Sequence, residues 1–208
     1  MRMKLIAGVA LAALCVFIPD VRADGVLVPF RLPNCPSALT LSAPGIFAGA
    51  TNQQQVIDQL SSAPSTRGLG TIVLALTGPL EPSVVLVVAE RTDTSGIQGK
   101  ATQKQFDTLK TAIVSSDGQT EMASLNRRHR TDGIMLSNVD IVSTATSADS
   151  VTIIGLMNGS EPGADFTSYL GVVTSYVRQC IPSAIVVAPP SAMSKEQFET
   201  LMRSLSFN

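Results

Sequence analysis

Thr71-Ile-Val-Leu-Ala-Leu-Thr77 and Ser83-Val-Val-Leu-Val-Val-Ala-Glu90, parted by Gly78-Pro79-Leu80-Glu81-Pro82, decide the fold class. Joined end to end, they have the length and hydropathy of a membrane span. Two prolines and Glu81 in the middle break any helix there, so the stretch divides into two runs of strand length. Each run is dense in β-branched residues and apolar without alternation, the pattern of a strand covered on both faces. The reading is a β-hairpin at the centre of a sheet. Such a sheet needs amphipathic elements to cover it.

Two of those elements announce themselves with nearly the same words: Thr102-Gln-Lys-Gln-Phe-Asp-Thr-Leu109 and Ser194-Lys-Glu-Gln-Phe-Glu-Thr-Leu201. In both, a hydroxyl residue is followed three positions later by Gln, the capping-box spacing, and an apolar stripe then repeats at helical intervals. The spacing predicts helices over Gln103–Val114 and Lys195–Leu205, with Phe106 and Phe198 turned inward. Each follows an apolar strand, Val84–Ala89 and Ile185–Ala188. The likeness reads either as a duplicated strand–helix unit or as convergence on one helix recipe. Connecting loops of different length favour convergence. A third, shorter helix is expected over Asn52–Leu60, capped by Thr51 and Gln54, with Val56, Ile57 and Leu60 on one side.

Residues 24–50, rich in Pro, Gly, Ala and Ser, read as extended chain with turns. Met122–Leu125 reads as a short strand. Ile134–Thr144 and Val151–Met157 read as a second hairpin around Ser147-Ala148-Asp149, with a loop over 158–165. Phe166–Gln179 fits a helical stripe through Phe166, Tyr169, Leu170, Val173 and Val177, but its Thr, Tyr and Val content tips it to strand. The expected class is α+β: a mainly antiparallel sheet packed against two or three amphipathic helices, αβα sandwich-like.

The order of these elements, with Val84-Val-Leu-Val-Val-Ala-Glu-Arg91, the Gln105-Phe106 helix, hairpin strands and a last helix ending Arg203-Ser-Leu-Ser-Phe207, resembles the PsbP/Mog1-like family. The resemblance covers roughly residues 70–208 and lies in pattern and closing residues. It implies an exported accessory protein of the kind found in bacteria and photosynthetic lumens. The Trp usual near the start of that family's domain is absent here, and no functional residues carry over.

The amino terminus supplies an address. Arg2 and Lys4, the apolar run Leu5–Ile18, and Val21-Arg22-Ala23 before Asp24 form the three parts of an export signal cleaved after Ala23. The run is too short for a membrane span, and Pro19 ends it. Cys15 follows Leu14 rather than the small residue that a lipoprotein signal requires, so a soluble product is expected. Cleavage removes Arg2, Lys4, Arg22 and Asp20 from fifteen basic and sixteen acidic side chains, leaving one domain over 24–208 with a net charge of −3. That balance argues against nucleic acid as a partner. Two cysteines remain, Cys35 and Cys180. An even count in an oxidising compartment reads as one disulfide, and Cys-x-x-Cys, the usual redox spacing, is absent.

Chemistry-bearing residues are sparse. His129 is the single imidazole, and no Gly-x-Ser-x-Gly elbow exposes a serine. One His and two cysteines fall short of a structural zinc site, and acids are scattered singly, so neither a metal nor another cofactor is expected. Gly96-Ile-Gln-Gly99-Lys100-Ala-Thr102 has a misplaced first glycine and Ala101 where a phosphate loop needs a hydroxyl residue. Aromatic platforms for sugars are scarce. The outlying feature is Arg127-Arg128-His129-Arg130, three of the mature chain's arginines in four positions. It suits an anion or an acidic partner surface, or else a solvated turn guarding a strand edge. The expected function is a non-catalytic secreted or periplasmic accessory protein. Its partner would be an envelope protein or a polyanionic envelope component, with no transmembrane segment in the mature chain. The alternatives are an exported hydrolase whose site assembles only in the fold and an immunity-type partner of an envelope toxin.

Overall fold

The computed structural model describes residues 27–33, 35, 39–48, 50, 52–62, 71–78, 84–91, 101–115, 130–131, 134–161 and 164–208. Along the chain run β1 (Val28–Leu32), β2 (Leu39–Ala43), a 3₁₀ turn (Gly45–Phe47), α1 (Gln54–Ser62), β3 (Thr71–Thr77), β4 (Val85–Arg91) and α2 (Gln103–Val114). They are followed by β5 (Arg130–Thr131), β6 (Ile134–Thr146), β7 (Ser150–Glu161), β8 (Ala164–Ser175), β9 (Ile181–Ala188), α3 (Lys195–Ser204) and β10 (Ser206–Phe207). The fold is α+β and mostly antiparallel. Strands β3-β4-β9-β8-β7-β6-β5 make a seven-stranded sheet, and β1-β2-β10 make a small one. No helix among the described residues is long and apolar enough to cross a membrane.

The two runs that open the sequence argument do pair as antiparallel neighbours, Thr77 opposite Val85 and Thr71 opposite Glu90. They are not, however, the centre of the sheet: β3 is its end strand and β4 the next. β3 reads as doubly covered because both its faces are buried, Leu74 and Leu76 in the main core and Ile72 and Ala75 against Ile57 of α1. Asn52 Oδ1 accepts the Ala75 N–H at 3.0 Å, and the Gln53 N–H donates to the Ala75 carbonyl at 2.9 Å. The same contacts correct the start of the third helix. Asn52 and Gln53 serve β3, so α1 begins at Gln54, and Thr51 lies outside the described residues.

Register sorts side chains onto two faces. Leu86 lies opposite Val186, Val88 opposite Ala184, and Gly171 opposite Val186 on the other side. These belong to the main core, which gathers Leu39, Leu41, Phe47 and Phe207 with Phe198, Leu201 and Met202 of α3. One face is therefore covered by the small sheet and α3 together, so that layer is part β rather than helices alone. Gly171 permits the close approach, since a Cβ there would run into the Met202 side chain. On the opposite face Ile57 of α1 packs with Ile72, Ala75 and Ala89. Phe106 of α2 packs there with Ala101 and Ile181.

That arrangement bears on the repeated octapeptide. β4 and β9 are antiparallel neighbours, so a two-fold relating β3-β4-α2 to β8-β9-α3 would stand perpendicular to the sheet and keep both helices on one face. They pack on opposite faces, which supports convergence. The ambiguous segment is strand, as read, over Ala164–Ser175. The loop expected over 158–165 is instead ladder: Asn158 faces Thr167 and Glu161 faces Ala164, with a 2.9 Å bond from the Thr167 hydroxyl to Asn158 Oδ1. Polar side chains there line a solvated strand face and mimic loop composition.

Candidate functional site

Polar and sulfur chemistry gathers at one pole of the seven-stranded sheet, where the β8–β9 turn meets the lead-in to α2. Cys35 and Cys180 are joined there, with Cα atoms 5.6 Å apart across a separation of 145 residues. The bond ties the β1–β2 connection to the first residue before β9. Cys180 is buried in the main core with Leu32, Leu39 and Leu41, so the link fastens the small sheet to the core that it covers.

The adjoining turn is tight. Val177 and Cys180 exchange backbone bonds of 3.0 and 2.9 Å, and the two residues between them, Arg178 and Gln179, have φ of 50° and 65°. Such turns favour Asn-Gly, and a side-chain-bearing residue held there costs roughly 1 kcal/mol or more. Neighbouring contacts hold the geometry. The Ala101 N–H donates to the Gln179 carbonyl at 2.8 Å, and the Tyr176 N–H donates to Asp149 at 2.8 Å. Tyr176 stacks with Phe106 at 6.2 Å between ring centroids. Lys110 then closes the cluster. Its ammonium lies 5.3 Å from the Phe106 ring centroid and donates to the carbonyls of Ser147 and Ala148 at 3.1 and 3.0 Å. The arrangement locks three segments together; it is a rigid mount, with Arg178 and Gln179 exposed at its tip.

Two further groups of hydroxyls among the described residues are paired within their own elements or across one strand pair. A shallow, open groove of 470 Å³ follows α2 past Lys104, Asp107, Thr108, Thr111, Ala112 and Ser115. The three hydroxyls in it donate to the helix's own carbonyls at 2.8–2.9 Å. Thr174 and Ser183 share a buried hydroxyl bond of 2.9 Å between β8 and β9. Glu90 is fully buried on β4.

Of the residues singled out by sequence, the structure brings Cys35 and Cys180 together. Arg127, Arg128 and His129 lie outside the described residues, as do the export signal and Met122–Leu125. Arg130 opens β5, its backbone paired with Met135. Lys110, Arg178 and Gln179 escaped sequence reading. Val-Arg-Gln-Cys carries no turn residue, and Lys110 resembles any helix-surface lysine.

No known protein family and no curated protein matches the chain. Among solved structures it is similar to the Ran-binding protein Mog1p of Saccharomyces cerevisiae. The two are 11% identical over 86% of this chain and 84% of that one, with a TM-score of 0.33. A TM-score that low carries no argument about function.

Proposed function

We propose that the chain is an exported, non-catalytic accessory protein that works by surface contact with an envelope protein or a polyanionic envelope component. On this reading translocation removes residues 1–23, and 24–208 folds as one stapled domain. The observation that carries it is the Cys35–Cys180 bond. A disulfide closing most of the chain persists in an oxidising compartment and is reduced in the cytosol. The rigid pole around that bond suits presentation of a surface, since its hydrogen-bonding groups are used in holding segments together. Arg127, Arg128 and Arg130 supply the anion-binding element.

The test has two stages. Expressed with its own leader in a bacterial host, the protein should be recovered from the envelope fraction beginning at Asp24, with no thiol alkylated before reduction. An intact leader and two reactive thiols would overturn the export reading. Retention of the mature chain on immobilised polyphosphate should fall when Arg127, Arg128 and Arg130 are all changed to Ser, with Tm unchanged. Equal retention would remove the arginines from the proposal.

A further inference from the structure

We draw no further inference here: the strongest candidate, the half-buried apolar patch where Val85, Val87, Ile185, Val187, Leu170 and Val172 lie side by side on the sheet face that also receives α1 and α2, carries nothing, because nothing among the described residues shows what covers it.

Discussion

Helices α2 and α3 carry the same capping box with the same distances. The N-cap N–H donates to the Gln side chain at 2.7 Å, and the Gln N–H donates to the N-cap hydroxyl at 3.3 Å. Even the threonine one turn on bonds back alike, Thr108 to Lys104 at 2.9 Å and Thr200 to Glu196 at 2.8 Å. Yet α3 buries Phe198, Leu201 and Met202, whereas α2 buries Phe106. A shared octapeptide thus fixes where a helix starts and which side is apolar. What it docks against is decided by residues elsewhere: Gly171 and Tyr169 for α3, Tyr176 and the strained turn for α2.

The strongest way to break this comparison is to truncate the two phenylalanines. Phe198 sits in the main core, stacked on Tyr169 at 5.3 Å, so Phe198→Ala should cost about 3–5 kcal/mol. Phe106 belongs to a small cluster at the sheet's end. Phe106→Ala should cost less globally and show mainly as undocking of α2. Urea denaturation with hydrogen exchange on the helix amides separates the two; equal costs with uniform loss of protection would contradict the division.

Next in size is the disulfide. Changing Cys35 and Cys180 to Ser frees a closed loop spanning most of the chain and should destabilise by roughly 2–4 kcal/mol. Since Cys180 follows the Gln179 carbonyl that holds Ala101, protection should be lost first in α2 and last in α3. The reverse order would show that the staple serves α3.

Capping sharpens the comparison further. Thr102→Ala and Ser194→Ala remove the same cap bond from the Gln N–H, worth about 1 kcal/mol, along with a hydroxyl bond that goes to Gln105 in α2 and to Glu196 in α3. For Ser194 the loss should appear in the global Tm, because α3 unfolds with the core. For Thr102 it should appear as local opening of α2 with a smaller change in Tm. Identical shifts would mean that both helices belong to one cooperative unit.

These contrasts mark how far sequence reading reaches. Both capping boxes, the span of α2, the hairpin around Ser147-Ala148-Asp149 and the cysteine pair are written in local spacing or simple parity, and all are present. Position within the sheet is not local. The apolar density of Thr71–Thr77 means covered on both faces, and an end strand with Leu74 and Leu76 in the main core and Ile72 and Ala75 against α1 satisfies that as well as a central one. Asn158 to Asp165 looked like loop because a strand with a wetted face uses loop-like residues. The pole was legible only in part. Cys180 could be named, but the turn beside it has neither Gly nor Asn, and its conformation is enforced by Ala101 and the disulfide from far along the chain.

The smallest expected effect is one of charge. Position two of each helix differs, Lys104 in α2 against Glu196 in α3, and α2 has no acid in its first turn. Glu196 is fully exposed, but a bond from its own backbone N–H, and then one from the Ser194 hydroxyl at 3.0 Å, hold its carboxyl below the usual value. A carboxyl depressed on folding contributes above its unfolded pKa of about 4.3, and that contribution is lost as pH falls through the lower folded value. Acidification below that point should therefore loosen the first turn of α3, seen as faster exchange at Gln197, with no matching change at Gln105. Glu196→Gln should abolish the difference. A titration at Gln105 of the same size would show that the helix ends respond to general acid expansion and not to their own first turns.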